Sequence, residues 1–392
     1  MHKTLYSEAT AFIGDLVIGE KGIEVKDIIS GTWRGRSYQF MLKTPDGNAS
    51  FVKVFGNTEI KEREFKFKVD GVENTLKWAE RFNEELVKVV PNFMKRTYIN
   101  GDVKKTFLDD VEWANFLLEE LPTLNGKTLK IYKGDITFNP NENGNTYTEV
   151  GVSKLVVLSD EDKAHKDNRY GFFGQNEIFF TKDSTDADIW KGSDLNTKYI
   201  IEDLQKKVVI NGYCEVKNTS KATREAIPEY LAPVTFIIDL TKMDFDKDVH
   251  LAKAKALCNM FRVKGKGVYS VGAKTAYVNG KEEKVLTEDE IKELLGKEKC
   301  DLLEMFPEMK SELMGAAGIK SVGEKIQEIR IVRPHGKKPL AELVEAIDEN
   351  MLDLWKIAVA KEKASTGIEA PKQEKKAIEK VVEEEEFEDL FA

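Results

Sequence analysis

The chain has 392 residues, 41% hydrophobic and 33% charged, with a formal net charge of −9. That is length for roughly two to four domains of polar, globular composition. It argues against a spanning helix, since no apolar run approaches the roughly 18 residues such a helix needs, and against a disulfide scaffold, since Cys214, Cys258 and Cys300 are odd in number, widely spaced and lack a CxxC pair.

The opening MHKTLYSEATAFIGDLVIGE has no basic region followed by a continuous apolar core. No secretory signal is therefore expected, and the cytoplasm (a bacterial host's, if the protein is viral) is the expected location. His2, His165, His250 and His335 stand far apart, so neither a metal nor another cofactor is expected.

From Gly14 to Gly56 the pattern reads strand, turn, strand. Val25 to Ser30 leads through Gly31 and Gly35 into the alternating run Ser37 to Lys43, and Pro45-Asp46-Gly47-Asn48 turns the chain back along Phe51 to Phe55. A helix is predicted over Asn74 to Val90, stopped by Pro91, and another over Leu108 to Leu121, ended by Pro122. Leu129 to Phe138 and Thr146 to Leu158 read as strands around the turn Asn139 to Asn145. Residues 159–198 read as a polar loop with two aromatic pieces, Tyr170 to Gly174 and Ile178 to Phe180. A third strand region spans Val208 to Val216 and Val234 to Leu240. It is followed by a helix at Lys253 to Met260 and glycine-punctuated strands from Lys264 to Val278. Helices are expected at Thr287 to Leu295, Cys300 to Met314 and Lys338 to Lys363, with a short strand at Glu328 to Val332.

The expected fold is mainly β with α additions. Short, bent strands with polar excursions suit several small closed barrels better than an open sheet. The expected division is 1–125 with a helical insertion, 126–200, 201–285, a helical region 286–363, and a linker with an acidic tail over 364–392.

The last fourteen residues, EKVVEEEEFEDLFA, hold seven acids against one lysine, which leaves the preceding chain with only −3 of the total charge. So dense a block of like charge is expected to be disordered. Phe387, Leu390 and Phe391 are unusual in a merely solvating tail, the competing reading, and an acidic string with an apolar tip suits a basic, pocketed surface on a partner protein.

The stretch LKIYKGDITFNPNENGNTYTEVGVSKLVVLSDED resembles the front half of an OB-fold of the bacterial single-stranded DNA-binding type. The carriers are Gly134 within the first strand, the Asn143-Gly144-Asn145 turn, Tyr147 beyond it, and the returning Leu155-Val156-Val157-Leu158. The acidic tail with its apolar tip resembles the same family, although Phe391 is here followed by Ala392; the chain's length is more like that of divergent tailed-phage replication proteins. The resemblance implies OB-like barrels, single-stranded DNA as ligand, and replication or recombination proteins as partners of Phe387, Leu390 and Phe391.

Sequence-tolerant binding of single strands needs cations for phosphates and exposed aromatic faces on which bases stack. The first hairpin offers Trp33, Arg34, Arg36, Tyr38, Phe40 and Lys43, with Lys53 and Phe55 on the returning strand; burial in a core is the competing reading of its aromatics. The middle region offers Lys130, Tyr132, Lys133, Phe138 and Tyr147. A third cluster is Arg262, Lys264, Lys266, Tyr269, Lys274 and Tyr277, and the loop Lys163 to Phe173 is a candidate stacking flap. The run Gly267 to Thr275 imitates a phosphate loop but separates its last Gly from Lys274-Thr275 by one residue, which spoils that geometry. Gly315 to Ile326 has a weak helix–hairpin–helix flavour. Asp239, Asp244, Asp246 and Asp248 have the spacing of a metal cluster without the glycine a calcium loop needs. The expected function is single-stranded DNA binding without catalysis. The alternatives are a scaffold with a solvating tail, and a metal-dependent nuclease using those aspartates.

Overall fold

A computed structural model describes residues 7–30, 33–59, 64–216, 230–281 and 325–366. Among them the fold is mainly β, with most strands joined in one sheet.

The chain enters on β1 (Glu8–Val17), crosses to β2 (Val25–Ser30), and forms the long hairpin β3 (Trp33–Lys43) and β4 (Ala49–Glu59), as its turn residues predict. An insertion follows: hairpin β5 (Glu64–Val69) and β6 (Val72–Lys77), helix α1 (Glu84–Val89), then β7 (Arg96–Asn100) and β8 (Val103–Phe107). Helix α2 (Asp110–Glu120) leads into β9 (Thr128–Ile131), β10 (Gly134–Pro140), β11 (Thr146–Gly151) and β12 (Lys154–Val157). After the short helix α3 (Asp160–Ala164) comes β13 (Gly171–Phe180). The small ribbon β14 (Trp190–Lys191) and β15 (Asp194–Leu195) precedes α4 (Thr197–Glu202), and β16 (Lys207–Val216) then pairs along its length with β17 (Tyr230–Asp239). Helix α5 (Asp248–Asn259), β18 (Tyr269–Lys281), β19 (Lys325–Pro334), β20 (Glu342–Leu343) and α6 (Leu354–Thr366) complete the order.

Two closed circuits of strand pairing emerge. In the first, β1 pairs β3, β3 pairs β4, β4 runs parallel to β11 at Val52↔Val150, β11 pairs β10, and β10 returns to β1. In the second, β13 pairs β16, β16 pairs β17, β17 runs parallel to β19 at Phe236↔Ile329, β19 pairs β18, and β18 returns to β13. Both circuits carry the strand order 1-2-3-5-4-1, and both insert a helix, α2 or α5, between their third and fourth strands. The first strands of the two circuits pair antiparallel, Phe12 opposite Phe172, and one hydrophobic core runs through both. The circuits thus occupy residues 8–151 and 171–334. Pairing crosses the expected divisions at 125/126 and 200/201, and two circuits stand where three units were expected.

Local differences from expectation have physical causes. The helix expected over Asn74 to Val90 is reduced to α1. Asp70 and Gly71, both with positive φ, turn the chain into the β5–β6 hairpin, whose Phe65, Phe67 and Leu76 bury against Val90 and Leu108. The strand expected from Leu129 to Phe138 breaks in two at Lys133, which takes φ 61° and donates its N–H to Ala9 O at 3.0 Å, so that β9 and β10 lie along successive parts of β1. The expected loop 159–198 contains β13, whose aromatics are core: Phe172, Phe179 and Phe180 are almost fully buried. Of the helix expected over Lys338 to Lys363, only the second half forms, within α6. Val268 and Val344 instead share a small core with Phe179 and Leu231. The helices expected at Thr287 to Leu295 and Cys300 to Met314, and the tail with Phe387, Leu390 and Phe391, lie outside the described residues.

Candidate nucleic-acid interface

The first-hairpin candidates divide on inspection. Tyr38 and Phe40 are 3% exposed and belong to the core; the Tyr38 hydroxyl donates to Ala114 O at 2.6 Å, tying β3 to α2. Neither ring can stack on a base while the fold is intact, because Tyr38, Phe40 and Leu42 alternate onto the buried face of β3. Arg36 is committed to Asp27 at 2.8 Å and to Asn115 at 3.1 Å. Arg34 and Lys43 are exposed. Trp33 opens β3 opposite Glu59. Lys53 is ion-paired with Glu149 at 2.8 Å. The outward positions of β4 and β11 give a second, aromatic surface: Phe51 is 56% and Tyr147 59% exposed, with Phe55 half-buried on the same face. Tyr147 also lines a neutral groove of about 490 Å³ with Asn211, Tyr213, Thr235 and Gln327 of the second circuit.

Among the third-cluster candidates, Arg262 lies over Trp190, 4.3 Å from the ring centroid, and donates to Gly192 O at 2.5 Å, so it holds the β14–β15 ribbon. Tyr269 packs on Phe180, while Lys264 and Lys266 are exposed. Phe138 and Tyr277 are core, as is Phe172 of the expected flap. Lys274 lies inside β18, so the run around it is strand and not a phosphate loop. Asp239 is held by Arg330 at 2.7 Å, and among the described residues no group of His, Cys, Asp or Glu could hold a metal ion.

The middle-region candidates converge. The break at Lys133 leaves Tyr132 39% exposed, its N–H donating to Lys154 O at 2.9 Å, at the edge of a cleft of about 660 Å³. Lys95, Lys104, Lys133 and Lys154 line that cleft, brought from β7's approach, β8, the β9–β10 break and β12, and with Arg96 they share it with two acids, Glu8 and Asp135. The ammonium of Lys154 lies 5.4 Å and that of Lys133 5.8 Å from the centroid of Tyr132, within cation–π reach. None of these lysines forms an ion pair with a described carboxylate; Lys95 instead donates to Lys88 O at 3.2 Å. Their crowding shows in the electrostatics. Burial first, then Lys104, Lys133 and Lys130, pushes the Lys154 amine below its usual value, and burial with Lys104 does the same to Lys95. Lys130 itself donates to Asn168 at 2.7 Å.

The positive field continues over the β1–β13 seam. Lys274 donates to Gln175 Oε1 at 2.8 Å, and His335 Nε2 meets the same oxygen at 3.0 Å. Burial, then Lys274, Lys337 and Arg333, holds His335 below the ordinary imidazole value. Phe173 is 36% exposed on the Gln175 face of β13. Lys95, Lys104, Lys154, Arg333, Lys337 and His335 were not legible as site residues, since isolated cations on ordinary strands carry no local pattern; only the tertiary pairing gathers them.

No protein-family model matches the chain, and no curated protein matches it either.

Proposed function

We propose that the protein binds single-stranded DNA, with phosphates on the basic cleft around Tyr132 and its extension over the β1–β13 seam. The observation that carries this reading is the cluster of four lysines around an exposed aromatic ring, none of them ion-paired with a described carboxylate and together outnumbering the two acids, Glu8 and Asp135, that share the cleft. Repulsion among these lysines raises the energy of the unliganded surface, and a polyanion relieves it. Tyr132 and Phe173 offer faces for unstacked bases, which a duplex keeps inside its helix.

The strand order supports the same reading. Five strands closing 1-2-3-5-4-1, the third and fifth parallel and a helix between third and fourth, suit a pair of OB-like barrels, an architecture that takes oligonucleotides. That architecture binds on its second and third strands, which here are β3 and β4. The exposed rings of Phe51 and Tyr147, with Phe55 half-buried on the same face, favour this face as a second site for bases. A role in replication or recombination follows from the tail, whose Phe387, Leu390 and Phe391 would dock on a basic, pocketed partner.

The test is a titration of a fluorescent oligo-dT against a duplex of equal charge over a salt series. Preference for the single strand, with affinity falling steeply in salt, is expected. Equal binding to both, or none to either, would sink the proposal.

A further inference from the structure

Of the two acids lining the cleft, Glu8 and Asp135, Glu8 sits where the basic surface crosses from one circuit to the other. Glu8, in β1, faces Asp135 of β10 on one side and Gln175 of β13 on the other. Gln175 Nε2 donates to Glu8 Oε2 at 3.2 Å, while Gln175 Oε1 accepts from Lys274 and meets His335. The amide is therefore polarised, its oxygen toward the cations and its N–H toward the acid. The charges acting on Glu8 are Lys133 and Asp135 from the first circuit and Lys274 and Lys337 from the second. Despite the excess of cations, burial dominates and raises the carboxyl above its usual value.

An acid raised by burial among lysines is a poor stabiliser, because its desolvation outweighs its attraction. The arrangement makes better sense as a placeholder. A phosphodiester has the same charge, accepts from the same amide N–H and suits the same ring of ammonium groups.

We propose that Glu8 is a tethered occupant of a phosphate subsite, which single-stranded DNA must displace or share and which thereby lowers and tunes affinity. The inference rests on the function proposed above and names how that surface is regulated. Since protonation would free the subsite, binding should tighten as pH falls through the raised Glu8 value. His335, gaining a proton beside bound phosphate, works in the same direction.

The test is Glu8→Gln, which keeps an acceptor for Gln175 and removes the charge. Binding to oligo-dT should tighten by about fivefold at low salt, the size of one contact charge interaction in water, and the salt slope should steepen by about 0.7 for one further phosphate engaged. The pH dependence of affinity should flatten relative to wild type. Lys274→Met serves as the companion and should weaken binding. If Glu8→Gln leaves affinity, slope and pH profile unchanged, or weakens binding, while Lys274→Met still weakens it, the subsite is refuted and the DNA reading stands. If neither variant nor the wild-type protein responds to oligo-dT at all, it is the DNA reading that fails.

Discussion

Replacing Lys104, Lys133 and Lys154 together by Met keeps the aliphatic stems around Tyr132 and removes three cations from the cleft. Each phosphate neutralised on a single strand contributes about 0.7 to the salt slope, so the triple variant should lose about 2. Over a tenfold rise in salt, wild type should then lose about a hundredfold more affinity than the variant does. Folding supplies an internal control. The Lys154 amine is held below its usual value by burial and by its lysine neighbours, so near neutral pH it opposes folding. Removing the charges should leave the melting temperature equal or higher. The assay is anisotropy with labelled oligo-dT at several salt concentrations, beside a thermal melt. A variant with wild-type stability and an unchanged slope would place the phosphates elsewhere and refute the assignment of the cleft.

Tyr132→Ala should weaken oligo-dT binding by about 1–3 kcal/mol with the salt slope unchanged, since stacking is not ionic; a flattened slope would show that the ring acts by placing the lysines. Phe51→Ala with Tyr147→Ala should cost less affinity than Tyr132→Ala in the same titration, and a larger loss would move the bases to the β3–β4 face. Gly56→Ala should destabilise by about 1–3 kcal/mol in a denaturant melt, because a methyl there collides with the Asp110 carbonyl and pushes α2 off β4; an unchanged midpoint would contradict that packing. The unfolded chain protonates His335 near 6.5, above its value in the fold, so unliganded stability should fall as pH drops below that point. His335→Gln should remove that component, and melts between pH 7 and 5, chosen to bracket the transition, check it.

Much of the β framework could be read from the chain because it is written locally. Pro45-Asp46-Gly47-Asn48 fixes the β3–β4 hairpin, and the alternation of Val208 to Val216 fixes β16. Helix α2 could be read from its flanks, with Asp109 capping its first N–H groups and Pro122 following its end. What could not be read is long-range. The β13 aromatics look like a loop because Gly171 and Gly174 interrupt them, yet Gly174 is where Ile136 and Tyr277 press against the strand. Tyr38 and Phe40 share the alternation of their hairpin with Phe51 and Phe55, and only the position of α2 decides which parity is inside. The interface suffered most: Tyr132, Lys133, Lys130 and Lys274 were within reach of composition, whereas Lys95, Lys104 and Lys154 become neighbours only when β12 pairs with both β7 and β9.

The seam between the circuits makes the basic surface a property of the whole body. Phe12 and Phe172 sit 5.4 Å apart across β1 and β13, and Tyr277 of the second circuit lies 5.5 Å from Phe12. Separating the circuits would expose these rings and the unpaired edges of both first strands, which disfavours a hinge at this point. A strand held on one side of the seam therefore meets the other side at a fixed distance, without the entropy cost that a flexible linker imposes. The same rigidity explains why overall charge says so little about the ligand. A body of only −3 before its tail still presents lysines that form no ion pair with a described carboxylate, while acids such as Asp27, Glu112, Glu149 and Asp239 are held in ion pairs elsewhere. Attraction for a polyanion depends on how the fold distributes charge, and here the pairing of β7, β9, β10 and β12 around Tyr132 does the distributing.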